Sequence, residues 1–163
     1  MLELKFDWDK IKKKNTDGKL KIDELILLIL NEGKVSGKTK LQKEVFLAWK
    51  EIIKDHLVDP LFHPDYYGPY SDLIEDAIEQ LKLEGYIKTA AIGEGHATYF
   101  ITEKGKKKVR EILENKKFIS KFMQILKEKK VDWDEWSSKG ILIYVYRKYP
   151  EYATKTRVPE LKW

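Results

Sequence analysis

Ser36-Gly37-Lys38-Thr39 has the residue types that end a phosphate-binding loop, where backbone N–H groups and a Lys cradle an anion. The full motif requires a Gly five residues before its second Gly, after a strand. Glu32 holds that position and a helical pattern precedes it, so a helix-linking turn accounts for the same residues. His56, Asp59, His63 and Asp65 are metal-ligand types. No two share the i, i+4 spacing of a helical zinc pair, and Pro60 and Pro64 interrupt them, so no metal is expected. The absence of Cys removes thiolate chemistry and disulfides, and there is no Gly-x-Ser-x-Gly turn for a serine nucleophile. No catalytic residue is assigned, no cofactor is expected, and the chain reads as a non-enzyme.

Two charged clusters remain. Lys104, Lys106, Lys107, Lys108 and Arg110 share one helical segment, either as a phosphate clamp or as the solvated face of a charge-rich protein. Asp72, Glu75, Asp76, Glu79 and Glu84 oppose only Lys82 on another helix. Phosphates are repelled by such a surface, and it offers no Arg to read guanine. Net charge is +5, and it is unevenly spread: residues 57–103 hold 2 Lys/Arg against 9 Asp/Glu, whereas residues 104–163 hold 17 against 8. A basic–acidic–basic chain is not a uniform nucleic-acid glove. Charged residues make up 36% of the chain and Asn plus Gln number only six, a bias that fits a thermophile.

The elements that must carry these groups follow from periodicity. Residues 1–18 read as an N-terminal arm, with Phe6 and Trp8 able to dock and Lys12, Lys13 and Lys14 in water. Ile22, Leu25, Ile26 and Ile29 line one face of a first helix. Thr39 and Gln42 have capping-box spacing at the start of a second, whose apolar face is Leu41, Val45, Trp49, Ile52 and Ile53. Asp59-Pro60 to Gly68-Pro69 is an aromatic loop with Phe62, Tyr66 and Tyr67, followed by Tyr70. Ser71 caps a third helix with the stripe Ile74, Ala77, Ile78 and Leu81, closed by Gly85. Residues 86–91 and 98–101 form a hairpin about Gly93-Glu94-Gly95, and Thr102 caps the basic helix. Beyond Asn115, Phe118, Phe122, Ile125 and Leu126 mark another helix. Trp133 and Trp136 fall in a connection, and Ser137 or Ser138 caps a last helix ending at Pro150. The order predicts a mainly α, α+β fold: a winged helix-turn-helix over 19–115 with a two-stranded wing, and a C-terminal helical extension over 116–163.

Lys40-Leu41-Gln42-Lys43 followed by Phe46-Leu47-Ala48 resembles the corresponding helix of the SocA-like, or Panacea, antitoxin domains. Phe62 through Tyr67-Gly68-Pro69-Tyr70 resembles the aromatic Gly-Pro segment of that family, and Tyr99 to Gly105 resembles the strand and helix start common to winged helices. The resemblance spans about residues 36–110. It implies a winged-helix-like domain that neutralises a toxin by direct binding or serves as an interaction module.

Two functions are therefore expected. The first, by fold analogy, is a DNA-binding transcriptional regulator. It would contact double-stranded DNA through Tyr70, Ser71, His96, Lys104, Lys106, Lys107 and Lys108, as a homodimer through its C-terminal helices. The second is an antitoxin-like module that binds a protein partner through Tyr66, Tyr67, Asp72, Glu75, Asp76 and Glu79. Neither needs a membrane: no apolar run reaches the ~20 residues that span a bilayer, and MLELKFDWDK lacks a leader-type apolar region, which points to the cytoplasm.

Overall fold

A computed structural model describes residues 18–91, 97–116 and 118–158. The N-terminal arm and the hairpin tip with His96 lie outside the described residues. The chain enters at Leu20, whose N–H donates to the His56 carbonyl and whose own carbonyl accepts from Val58. Helix α1 (Ile22–Asn31) follows, with Asp23 and Glu24 in its first turn, where carboxylates complement the helix dipole. All residues from Leu25 to Leu30 are buried, so α1 is covered on more than the single face its periodicity suggests.

Strand β1 (Val35–Ser36) leads into α2 (Lys38–Ala48). Thr39 is not the cap of α2. The helix begins at Lys38 after Gly37, whose φ of +98° suits glycine, and no side chain caps it. Gly37 N–H is instead tied to the Ala97 carbonyl of the sheet, which sets where α2 starts. Every residue from Leu41 to Ala48 is buried, including Gln42, Lys43 and Glu44. α2 is thus the central helix of the molecule rather than an amphipathic surface helix. A π-helical turn, Trp49–Ile53, extends it, and a 3₁₀ turn, Lys54–His56, ends it. The wider turn rotates the apolar face, so Ile53 is buried while Trp49 and Ile52 are only half-buried.

The expected aromatic loop contains a hairpin: β2 (His63–Asp65) pairs antiparallel with β3 (Gly68–Tyr70) around Tyr66-Tyr67. A two-stranded ribbon leaves outer edges unpaired, so Pro64 and Pro69 can face one another without breaking a ladder. Gly68 has φ +90°, and a Cβ there would lie 2.6 Å from Leu142 Cδ1 and 2.9 Å from Lys43 Cε. Only glycine lets the hairpin sit this close to α2.

α3 (Asp72–Leu83) is capped as expected by Ser71, whose hydroxyl accepts from Ile74 N–H, and Gly85 at φ +80° follows its end. β4 (Ile87–Ala91) and β5 (Ala97–Ile101) pair in register from Ile87 opposite Ile101 to Ala91 opposite Ala97. β1 adds to the other edge of β5, giving a three-stranded antiparallel sheet in the order β1-β5-β4. With two residues, β1 is too short to carry a periodic signal.

α4 (Glu103–Asn115) is capped by Thr102, which accepts from Gly105 N–H. α5 runs Ile119–Glu135, and α6, capped by Ser137, runs Ser138–Lys148 before a 3₁₀ turn at Pro150–Tyr152. Trp133 is not in a connection. It is a buried residue of α5, on the stripe Ile119, Phe122, Leu126, Lys130 and Trp133, and a buried Lys within that stripe hides it from a hydrophobicity reading. Phe122, Leu126, Trp133, Ile141, Leu142, Val145 and Tyr146 belong to the same apolar core as α1 and α2. The stripes expected to form a dimer face are used inside the chain. The described residues form a mainly helical α+β fold with two small antiparallel sheets.

Candidate functional site

α3 buries Ile74, Ile78 and Leu81 and turns Asp72, Leu73, Asp76, Glu79 and Gln80 outward. Glu75 departs from the expected acidic row. Its carboxylate turns toward α2 and pairs with Lys38 at 2.9 Å. Asp72 lies 4.0 Å from His63, and Glu79 pairs with Lys82 at 3.5 Å. Between α3 and the start of α1 runs a groove of about 460 Å³. Ile22, Val58, Leu73 and Ala77 supply its apolar lining, and Asp23, Asp76, Gln80 and Lys21 its polar part. Leu73 is 40% exposed at this groove.

Of the residues expected to contact DNA, Tyr70, Ser71, Lys104, Lys106, Lys107 and Lys108 are among the described residues. Ser71 is fully buried: its hydroxyl donates to the Pro60 carbonyl and caps α3, while Gln42 holds both its N–H and its carbonyl at 3.0 Å. Its assignment as a contact is corrected on that ground, because a cap folded under a loop has no surface to offer. Lys104 donates to the Glu84 carbonyl at 2.6 Å and lies over the Tyr86 ring at 4.6 Å. Lys106 pairs with Glu103 and Lys108 with Glu111, both in i, i+3 pairs. Lys107 is exposed. Two of the five basic residues on α4, Lys106 and Lys108, are therefore paired with carboxylates of the same helix.

Tyr66 and Tyr67 form the tip of the β2–β3 turn. The Tyr66 ring lies under the Arg157 guanidinium at 3.7 Å, and its carbonyl accepts from Arg157 N–H. Tyr67 and Tyr70 instead line a second site, at the start of α2. There a cavity of about 130 Å³ is bounded by Lys38, Thr39, Gln42, Lys43, Asp65, Tyr67, Gly68 and Tyr70. A wider cleft of about 520 Å³ shares Lys38, Thr39 and Tyr67 with it and adds Gly37, Lys40, Ala97, Tyr99 and Ser138. Lys43 is 2% exposed, and its amine donates to the Pro69 carbonyl at 3.0 Å. Burial pushes that amine down to about 7, with the Asp65 carboxylate opposing the shift. Burial likewise raises the Tyr70 and Tyr99 hydroxyls above their ordinary value.

The burial of Lys43 and Gln42 was not legible in the sequence, because polar positions of a helix are ordinarily solvated. Nor was the grouping of Leu73, Ile22 and Val58, which come together only through the packing of α1 on α3. Further buried charge lies across α2. Glu44 sits 3.3 Å from Lys130, which grips Asp134 through both oxygens at 2.7–2.8 Å. Burial raises the Glu44 carboxyl. Glu51 accepts from Tyr144, Lys148 and Tyr149, tying the π-turn to α6, and these donors hold its carboxyl down although burial is the largest single influence and opposes them.

Among the described residues no three His, Cys, Asp or Glu gather as metal ligands, so His56, Asp59, His63 and Asp65 do not converge. No helix among them is long and apolar enough to cross a membrane. No protein-family model matches the chain, and no curated protein matches it significantly in sequence.

Proposed function

We propose that this chain is a protein-interaction module of antitoxin type, and that its partner docks a basic amphipathic segment along α3. The observation that carries the reading is the α1–α3 groove. Its apolar floor, Ile22, Val58, Leu73 and Ala77, is lined by Asp23 and Asp76, with Asp72 and Glu79 farther along the outward face of α3. An amphipathic helix inserts apolar side chains at i, i+3, i+4 spacing into such a groove, and cationic flanks match its carboxylates. The resemblance of Lys40-Leu41-Gln42-Lys43 and Tyr67-Gly68-Pro69-Tyr70 to the SocA-like domains supports the same reading.

The test is fluorescence anisotropy with labelled amphipathic helical peptides that share one apolar face and differ in polar face, Lys/Arg against Glu. The basic peptide binds, and Leu73→Asp and Asp76→Lys each weaken it at least about tenfold, the scale of losing one central contact. Equal binding of both peptides, or indifference to both substitutions, overturns the reading.

A second reading, a winged-helix DNA-binding regulator, is favoured by one observation. The order α1, β1, α2, β2, β3, α3, β4, β5, with β1 on the edge of the β4–β5 pair, resembles a winged helix with the β2–β3 hairpin inserted before its third helix. α3 would then face the groove of the duplex with carboxylates, and α4 would supply phosphate contacts from Lys106, Lys107 and Lys108. A random duplex titrated at several salt concentrations separates the two readings. Binding that weakens steeply with salt supports DNA, and no binding at low salt rejects it.

A further inference from the structure

The cleft at the start of α2 has no part in that reading and carries its own chemistry. Lys43 stands one helical turn beyond Thr39 on the same face of α2, and both line the inner cavity. Its four-carbon stem is enclosed by Gly68 and Leu142, so the amine is held in place rather than swinging in solvent. Among the described residues its one hydrogen bond is to the Pro69 carbonyl, which uses an N–H and leaves the lone pair of the neutral amine without a donor. Asp65 and Tyr70 line the same cavity and can move protons. The mouth is of a different character. The first turn of α2 has no side-chain cap, Thr39 is exposed, and Lys38 and Lys40 flank the opening, Lys38 sharing its amine with Glu75 at 2.9 Å and Lys40 with the Asp134 carbonyl at 3.1 Å. An enclosed amine behind a cationic mouth fits one ligand class better than a simple anion, which would leave the inner nitrogen unused.

We infer that this cleft binds a small aldehyde carrying a carboxylate, with Lys43 forming an imine to its carbonyl carbon and Lys38 and the first turn of α2 receiving the carboxylate. In the reaction the Lys43 nitrogen lone pair attacks the aldehyde carbon and a C–N bond forms. The carbonyl oxygen takes up one proton as the nitrogen loses one, giving a carbinolamine. That hydroxyl then leaves with a second proton as water, and C=N replaces C–O. No oxidant or reductant takes part, and one water is released for each imine formed. The depressed basicity of Lys43 supplies the neutral amine near pH 7, where an ordinary lysine at 10.5 is almost wholly protonated. The inner cavity, about 130 Å³, admits a ligand of only a few heavy atoms.

The experiment uses the full chain with glyoxylate as probe and cyanoborohydride to trap the imine, followed by peptide mass mapping at timed intervals at pH 7. Lys43 is expected to be alkylated at least about tenfold faster than exposed Lys107, because burial favours its neutral, nucleophilic form and the cavity holds it in place. Acetaldehyde, which lacks the carboxylate, should label Lys43 several-fold more slowly than glyoxylate does, and Lys38→Met should narrow that difference. Lys43 left unmodified while Lys107 reacts, or the two reacting alike, overturns the site. Equal rates with the two aldehydes, or a difference unchanged in Lys38→Met, overturns the carboxylate assignment.

Discussion

Lys43 shows how strongly position outweighs residue type. On a surface helix it would be one of many solvated lysines; on α2 it is 2% exposed and its amine falls to about 7. Between about 7 and the ordinary 10.5 the unfolded chain binds more protons at this site than the folded one, so stability attributable to it rises with pH across that window. The cost of burying the amine is full below about 7 and fades toward 10.5. Glu44, raised by burial, has the opposite sign: its folded form holds a proton above the ordinary 4.5, so its contribution falls as pH rises through its own window. Comparing wild type with Lys43→Met separates the two. The variant should be more stable at pH 7, by on the order of 1–4 kcal/mol, with the gap narrowing by pH 10. Urea unfolding at both pH values checks this, and a gap that does not change with pH would mean that Lys43 is solvated.

At the scale of elements, one buried amide joins α2 to α3. Gln42 donates to the Ser71 carbonyl and accepts from the Ser71 N–H, each at 3.0 Å, so the N–H entering α3 depends on it, while the carbonyl also accepts from the Glu75 N–H. Gln42→Ala leaves the buried Ser71 N–H without a partner, while the Ser71 carbonyl keeps its bond from the Glu75 N–H, and should cost roughly 1–3 kcal/mol in urea unfolding. A loss under ~1 kcal/mol would show that water reaches Ser71. The same residue explains why a capping box was legible at Thr39 and Gln42 and yet did not form. The spacing is a local signal, but the Gln42 side chain is drawn to Ser71, and Gly37 is fixed by Ala97 two residues upstream of Thr39. Ser71, Thr102 and Ser137 do cap their helices: each hydroxyl oxygen accepts from its helix's N–H, and Ser71 and Thr102 also donate to distant carbonyls, of Pro60 and of Gly85 and Tyr86, without giving up the cap.

For the whole molecule, the decisive fact is that α2 is surrounded. α5 and α6 cover it on one side, α1 and the β1 edge on another, and β3 lies across it with Gly68 against Leu142 of α6. Truncation after Asn115, at the boundary the sequence suggests, would expose the face of α2 that Leu142, Val145 and Tyr146 cover. The shortened chain should show no cooperative urea transition by circular dichroism. A sharp transition in residues 1–115 would mean that the first four helices are an independent domain after all. Dimerisation through α5 and α6 faces the same constraint, since their buried stripes already contribute to this core.

By itself the sequence determined the order and type of most helices, three of their caps, the β4–β5 hairpin and the acidic row on the third helix. Each rests on periodicity or on contacts a few residues apart, which the chain carries wherever it folds. The tertiary structure alone decided which polar residues are buried, where α2 begins, that Trp133 belongs to a helix, and that Glu75 faces Lys38 while Asp76 faces outward. It also decided that the aromatic segment pairs with itself as β2–β3 and so brings Tyr67 and Tyr70 over Lys43. Those outcomes come from contacts between segments tens of residues apart, whose formation depends on how the whole core closes and leaves no period in the local sequence.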